Sequence, residues 1–379
     1  MKVCEKFGFS EIILPTFENK KLFTKSNDET SDIVQKEMFC FKDLGGRELA
    51  LRPEVTASAA RAIIEHGLLN KTLPIKICYI SNCFRNERPQ TGRYKEFYQF
   101  GVELFGSEQP TAEFEIISLA SMFFKKLNIK NITLEINSIG CVDCRKKYIK
   151  FLKKYFEKEH SNMCDDCKNR LTKNPLRILD CKVEKCNNLK KNAPQILDYI
   201  CKDCKDHFFK VCELLKYNNI NFEINPFVVR GLDYYTRTVF EFKTNSLGSQ
   251  NTVCGGGRYD DLFEVFGAKK TPSLGFGVGL NRLILLLNNN EKNNNLQECC
   301  LFIGNTDESY FLEISKIVKN LREQGVAVQF NLLVKSVKAQ MKYANKINAK
   351  FSCIIGKEEV FKNLVFVKNI NLAKTLQFL

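Results

Sequence analysis

A chain of 379 residues, 44% of them hydrophobic and 27% charged, has room for two or three folded domains. The balance excludes a disordered or collagen-like chain, and the longest wholly aliphatic run, residues 283–287, is far too short to cross a bilayer. The formal net charge of +15 fits a nucleic-acid partner, but the Lys-, Asn- and Ile-rich composition reads equally as compositional bias. Residues 1–10 lack a basic start followed by an apolar run, so a cytoplasmic protein is expected. In that reducing compartment seventeen cysteines point to metal rather than to disulfides. The three histidines, His66, His160 and His207, read as ordinary surface or core residues.

Strand-like and helix-like patterns alternate over residues 1–140. Residues 76–85 and 95–105 read as strands joined by a polar loop longer than a tight hairpin, the kind of loop that is often functional. A helix is expected over residues 112–127, with Phe114, Ile117, Ala120 and Phe124 on its apolar side. Residues 141–222 are rich in Lys and Cys and read as a helical insertion, after which strand and glycine patterns return over 223–290. Residues 288–297 form a low-complexity polar linker. A small α/β domain follows over 298–379, with strands at 301–304, 326–330 and 351–356. Its Gly325 stands just past a helix, where a left-handed residue is wanted.

The most informative strand is KEFYQFGVELFG, residues 95–106. With a period of two, Tyr98, Phe100, Val102 and Leu104 share a core face, and Phe97, Gln99, Gly101 and Glu103 share the other. A ring, an amide, a bare backbone position and a carboxylate in one row make a poor core and a good binding floor. Glycine weakens a strand unless something approaches it closely, so Gly101 implies a close neighbour. Arg85, Arg88, Arg93 and Lys95 cluster around the preceding loop, where planar guanidinium forks suit phosphate and carboxylate. Standing alone, such a loop reads as a solvated turn. In PSLGFGVGLNRLILLL, Gly275, Gly277 and Gly279 leave a flat strand face that a nucleotide could lie against, although by itself the row reads better as glycine-rich strand packing, and Arg282 opens the helix that follows. The spacing is not that of a dinucleotide-binding fingerprint.

Two such strands, an arginine-bearing loop and a strand–helix arginine together resemble the class II aminoacyl-tRNA synthetases. The segments LALRPEVTASAARA, FRNERPQTGRYKEFYQFGVELFG, VVRGLDYYTRTVFEF and TVCGGGRYDDL resemble the histidyl-tRNA synthetase family, and the likeness runs from Phe9 to about Asn369. The segment KSVKAQMKYANKINAKFSCIIG is similar to that family's anticodon-binding domain. The resemblance implies an α+β fold: an antiparallel-sheet catalytic domain carrying a helical insertion, then an α/β anticodon-binding domain. It implies a histidine–tRNA ligase that forms histidyl-adenylate from ATP, with Mg2+, and charges tRNA(His), working as a cytoplasmic homodimer.

The same resemblance assigns roles to residues. Arg85 would hold the ATP α-phosphate and the histidine carboxylate, and Arg230 would be the catalytic cation at that phosphate. Phe97 and Arg282 would sandwich the adenine, with Arg282 also near the γ-phosphate. The 54–56 segment (Glu54, Val55, Thr56) and Gln99 would bind the histidine α-amino group. Glu103 and Tyr235 would take the imidazole nitrogens with Tyr234 alongside, while Arg88 and Gln90 would approach the tRNA acceptor end. A structural alternative pairs Arg230 with Asp233 or Glu241.

This sequence departs from the family in four places. It begins late, with motif 1 kept only around Ile12, Pro15 and Phe17, and it is expected to stop short of a final helix. Asn281 stands where the family commonly has Glu, and Val55 where Gly is commoner. A non-catalytic regulatory or tRNA-sensing relative is the rival reading; the histidine-specific segments and the last domain stand against it. Within the insertion, Cys141-x2-Cys144, Cys164-x2-Cys167, Cys181-x4-Cys186 and Cys201-x2-Cys204 have spacings that suit thiolate zinc ligands, enough for up to two sites. Free thiols are the alternative.

Overall fold

Alternation along the central strands leaves each with one apolar face to bury, and the molecule solves this with sheets flanked by helices. The computed structural model describes every residue except 27–32, 89, 231, 233, 247–250, 291–298, 334, 363, 371–373 and 379. Two compact units result, Met1–Asn290 and Glu291–Leu379. The low-complexity linker lies mostly outside the described residues.

The first unit is built on an eight-stranded sheet. Its order is Ser10–Glu11, Ile75–Phe84, Glu96–Phe105, Ser273–Gly279, Thr252–Arg258, Thr236–Thr244, Ile132–Ser138 and Glu223–Ile224. The two short outer strands pair parallel and the inner ones antiparallel. On one face Phe100, Val102, Leu104, Phe276, Val278, Phe240 and Phe242 are buried with Ile116, Ile117, Ala120, Phe208 and Val211. The last five come from helices Pro110–Lys126 and Lys202–Tyr217. Tyr98, expected in this core, is instead 49% exposed, because it sits at the open start of its strand beside exposed Glu96.

The other face carries the two rows read from the sequence, and strand register sets them side by side. Gly275 pairs with Glu103, Gly277 with Gly101 and Gly279 with Gln99. Helix Thr56–Glu65 packs on this side, as do the buried residues of the insertion's first three helices, Val142–Lys158, Asp165–Lys173 and Glu184–Lys190. Its fourth helix, Lys202–Tyr217, buries Phe208, Val211 and Leu215 in the opposite core, so residues 141–222 contribute to both.

In the second unit Val328–Phe330, Leu301–Asn305 and Phe351–Ile355 pair parallel, and Val365–Asn369 and Lys374–Phe378 add antiparallel. Ile303, Val328 and Ile355 pack with Ile314 and Val318 from helix Phe311–Glu323. Gly325 follows that helix with φ of +82°, the left-handed geometry that lets the chain turn back.

Candidate active site

Cavity size alone would point to the second unit, whose two cavities of about 660 and 600 Å3 are the roomiest described. The first is lined chiefly by aliphatic side chains such as Leu301, Ile303, Ile317 and Val365, and offers no constellation of reactive groups. Charged and polar side chains gather instead on the glycine-rich face of the large sheet, in two smaller cavities of about 180 and 120 Å3. They share Arg85, Gln99, Arg230, Gly255 and Gly277 as a common wall. A two-lobed site with arginines at the junction suits two anionic groups that must meet there.

The larger lobe is lined by Phe97, Arg93, Gly279, Asn281 and Arg282, among others. Arg282, in the first turn of helix Leu280–Asn290, donates from Nε to the Gly92 carbonyl at 3.0 Å and from Nη1 to the Thr252 carbonyl at 2.9 Å. Burial, followed by the neighbouring Arg93 charge, lowers its pKa. The Arg85 guanidinium lies 5.3 Å over the Phe97 ring, while its Nε donates to the Pro53 carbonyl at 2.9 Å. Phe97 and Arg282 line the same lobe, with Arg85 resting on the ring. Asn281 accepts the Tyr98 backbone N–H at 2.9 Å, so its amide has a structural use.

The smaller lobe is hydroxyl-rich. Glu54 accepts the backbone N–H groups of Thr56 at 2.7 Å and Ala57 at 3.0 Å, which satisfies two orphan donors at the start of helix Thr56–Glu65. Burial nonetheless raises its pKa. Glu103 is 1% exposed and lies behind the cavity surface, where it accepts from Thr56 Oγ1 at 2.7 Å, Tyr79 OH at 2.9 Å and Tyr259 OH. Burial raises its carboxyl to about 8, although the three hydroxyls pull the other way. Tyr234 and Tyr235 are buried with ring centroids 5.0 Å apart. The Tyr234 hydroxyl comes near Thr56 without a well-formed hydrogen bond, and burial pushes the Tyr235 hydroxyl up to about 12.

Arg230 stands at the junction, 5.8 Å from the Tyr235 ring centroid, ion-paired with Glu241. Its guanidinium occupies the space above Gly255, where a Cβ would come within 2.2 Å of Nη2. Its Nε is buried without a hydrogen-bond partner among the described residues. Gly231 and Asp233 lie outside the described residues, and Glu241 is the partner observed.

Other sequence expectations are redirected. What approaches Gly101 is the Tyr79 ring, whose Cζ would lie 2.4 Å from an added Cβ. Gly275 is covered by the Glu103 carboxylate, at 1.8 Å from such a Cβ, so only Gly277 and Gly279 offer open floor. Val55 is 1% exposed and lines neither lobe. Arg88, Gln90 and Lys95 are exposed on the loop, outside both lobes. There Gln90 and Arg93 exchange backbone bonds around Gly92, whose φ is +76°. Tyr79 and Tyr259 also line the smaller lobe, and the sequence motifs alone do not mark either as a site residue. Tyr259 lies within the TVCGGGRYDDL segment, whereas Tyr79 is betrayed only by the glycine opposite it in the sheet.

The eight insertion cysteines gather in two groups that could each hold a metal ion. Cys141 and Cys144 meet Cys201 and Cys204, and Cys164 and Cys167 meet Cys181 and Cys186.

A family model for histidyl-tRNA synthetase matches residues 1–283, and one described as an anticodon binding domain matches residues 288–377. The chain is 49% identical over 360 residues to a histidine–tRNA ligase of Clostridium novyi, covering 95% of this chain and 86% of that protein. It is 44% identical over 379 residues to one from Caldanaerobacter subterraneus, covering 100% and 91%. Among solved structures, apo histidyl-tRNA synthetase from S. aureus superposes with a TM-score of 0.80 at 32% identity, covering all of this chain and 90% of the other. A junction of two cavities walled by Arg85 and Arg230 lies within the stretch that these relatives share, and the chain belongs to the histidyl-tRNA synthetase family.

Proposed function

We propose that this chain activates histidine with ATP and transfers it to the 3′ end of tRNA(His). The observation that carries this reading is the pair of arginines shared by two lobes of unlike chemistry. The larger lobe, with an aromatic ring, an open glycine floor and Arg282, suits an adenine and its phosphates. The smaller lobe, with buried carboxylates and tyrosines, suits a small polar amino acid. At the junction an oxygen of the histidine carboxylate attacks the α-phosphorus while the bond to the departing pyrophosphate breaks. A carboxylate is already nucleophilic, so this step needs no general base. Arg85 and Arg230, fixed before reaction, stabilise charge growing on the non-bridging oxygens without reorganisation.

Glu54 is anchored on the helix start and, with Thr56 and Gln99, is assigned to the substrate ammonium. Imidazole selection falls to Tyr235 and to Glu103, acting with the hydroxyls gathered on it, because an apolar analogue would leave buried polar groups unpaired. Glu87, ion-paired with Arg93 at 3.1 Å, is the carboxylate lining the larger lobe among the described residues. That sparse donor set suits Mg2+ arriving on the triphosphate, where the cation's charge would neutralise the leaving pyrophosphate.

For transfer, exposed Arg88 and Gln90 are placed on the loop to meet the acceptor end. In the second unit Lys335, Lys342, Lys346 and the half-exposed Tyr343 border the cavity of about 600 Å3, a basic and aromatic setting that suits unstacked anticodon bases. No helix among the described residues is long and apolar enough to cross a membrane, and a cytoplasmic location fits protein synthesis. Exposed Ile13, Phe17 and Phe41 near the motif 1 remnant support a homodimer, which sedimentation at micromolar concentration tests. The decisive assay is ATP–pyrophosphate exchange: it should require histidine, and exchange that is absent or indifferent to histidine overturns the proposal.

A further inference from the structure

The insertion cysteines occupy repeated local positions. Cys141, Cys201 and Cys164 each stand one residue before a helix, and Cys144, Cys204 and Cys167 sit in the first turn of those same helices. Cys186 likewise lies in the first turn of Glu184–Lys190. Helix N-termini favour thiolates, and the chain brings several of them together. In each quartet all four sulfur atoms lie within 4.8 Å of one another. The sulfurs of Cys141 and Cys144 are 3.5 Å apart and those of Cys164 and Cys181 are 3.9 Å apart, while all eight cysteines are free. Four sulfurs placed about 2.3 Å from one central ion would be about 3.8 Å from each other.

Backbone amides are also aimed at these sulfurs, and they reach across the chain. Cys141 N–H points to Cys204 Sγ at 3.3 Å, and Cys201 N–H points back to Cys144 Sγ at 3.0 Å. Cys164 N–H reaches Cys186 Sγ at 3.3 Å. Simple core packing of thiols would not require such crosswise donors, whereas a cluster of thiolates around a cation does.

We infer that each quartet holds one structural zinc ion, and that the first of them positions the Tyr235 wall of the smaller lobe. Four thiolates in a tetrahedron suit zinc, and binding releases the thiol protons to solvent with no change of oxidation state. The first site ties the residues where the chain leaves the large sheet, just after Ser138, to the start of the insertion's last helix, Lys202–Tyr217. Gly140, beside Cys141, accepts the Arg237 N–H at 2.8 Å. Arg145, next to Cys144, donates from Nη1 to the Tyr235 carbonyl at 2.7 Å. Cys167, Cys181 and Cys186 pack with Met163, Leu171 and Ile178 in the core that also buries Tyr235, but the hydrogen bonds described for the second quartet stay within the insertion.

The coupling to Tyr235 rests on the reading of the smaller lobe as the histidine pocket, whereas the metal content does not. Full-length protein purified under reducing conditions should contain two equivalents of zinc by elemental analysis. Cys181→Ser with Cys186→Ser should leave one equivalent and an unchanged histidine KM. Cys201→Ser with Cys204→Ser should leave one equivalent and raise the histidine KM about tenfold, with the ATP KM little changed. Stripping the wild-type protein with a chelator and adding Co2+ should give thiolate-to-cobalt absorption saturating at two ions per chain, which needs no cysteine variant to fold. Under half an equivalent of zinc without Co2+ uptake, or iron in its place, overturns the zinc assignment. Two ions with equal kinetic effects from both pairs overturns the positioning role. Two ions in a protein lacking histidine-dependent exchange would sink the functional reading and leave the zinc sites standing.

Discussion

The large sheet buries an arginine–glutamate pair against each of its faces, and the two pairs differ in how completely they are satisfied. Arg258, fully buried on the helix side, donates from Nε and Nη2 to Glu113 at 2.8 and 2.6 Å. Its Nη1 reaches the Ser107 carbonyl at 2.8 Å and Asp260 at 3.1 Å. Glu113 also meets His207 Nε2 at 2.5 Å. Arg230, on the site side, pairs with Glu241 over a bare glycine floor and borders both cavities, and its Nε has no partner among the described residues. A buried ion that is fully bonded can only hold structure, whereas one with spare donors facing a cavity can meet a substrate. On the proposed function, the contrast separates scaffold from chemistry more sharply than residue type or burial does.

The largest effect should come from breaking the satisfied pair. Arg258→Met leaves Glu113 with His207 alone in a buried site, a loss of about 3–5 kcal/mol of stability, measured by denaturant unfolding. The acid limb gives a second reading. Burial opposes ionisation of Glu113, but the Arg258 bonds and charge, then His207, hold its carboxyl down at about 2 against an ordinary 4.5. A depressed carboxyl contributes stability above its unfolded value and loses it as pH falls through its folded value. The wild-type protein should therefore lose stability between about pH 4.5 and 2, and the variant should lose less there. A variant with wild-type stability would erase the distinction between the two pairs.

Breaking the other pair should leave the fold and remove the chemistry. Without Arg230, Glu241 retains Lys243 at 3.2 Å and Thr252 at 3.1 Å, so it is not orphaned. Arg230→Ala should slow adenylate formation about 10²–10³-fold, roughly 3–4 kcal/mol of barrier, at saturating ATP and histidine. Substrate affinities should move much less. Arg230→Lys should recover little, because an ammonium lacks the planar fork. Adenylate formation at the wild-type rate in a pre-steady-state assay would place Arg230 with Arg258 in the scaffold.

Glu103 lies between these extremes, since it is both buried and wrapped in hydroxyls. Its carboxyl stays protonated to about 8 when folded, against an ordinary 4.5. Its stabilising contribution is therefore full below about pH 4.5 and lost as pH rises toward 8. Glutamine imitates the neutral form, so Glu103→Gln should raise the histidine KM only a few-fold at pH 7 and about tenfold above pH 8, where the wild-type carboxylate accepts the imidazole N–H better. The ATP KM should hold steady. A ratio of variant to wild-type KM that is flat with pH, or equal losses for both substrates, would put Glu103 in the scaffold.

Much of this was legible from period and spacing. The strand over 95–105, its two faces and the adjoining glycine strand follow from alternation alone. The helix over 112–127 begins two residues early at Pro110, which is suited to a first turn. What the sequence could not supply was the partner of each buried polar group. Gly101 announces a close neighbour but cannot name Tyr79. Arg258 sits in a motif beside site residues, yet its side chain crosses to a glutamate 145 positions away. The four cysteine pairs allowed two metal sites without saying which pairs combine, because loop closure over the insertion is a matter of packing, not of spacing.

The smallest expected effect tests the glycine floor itself. At Gly275 an added Cβ would stand 1.8 Å from Glu103 and 2.4 Å from the Val102 backbone carbonyl, so alanine there disturbs the sheet before it disturbs any ligand. At Gly277 the nearest neighbour is the Gln99 amide at 3.5 Å, an ordinary contact, and the position borders both lobes. Gly277→Ala should therefore fold with stability within about 1 kcal/mol of wild type, since the strand geometry accepts a side chain. Its methyl group would stand on the surface against which the nucleotide is proposed to lie, lifting it by a fraction of its thickness. The ATP KM should rise a few-fold, on the order of 1 kcal/mol, with less change for histidine. Steady-state kinetics beside a denaturant curve would show whether the floor is a contact surface. Unchanged KM values in a normally folded variant would mean that nothing rests on Gly277, and that the nucleotide is held by the arginines and Phe97 without the floor.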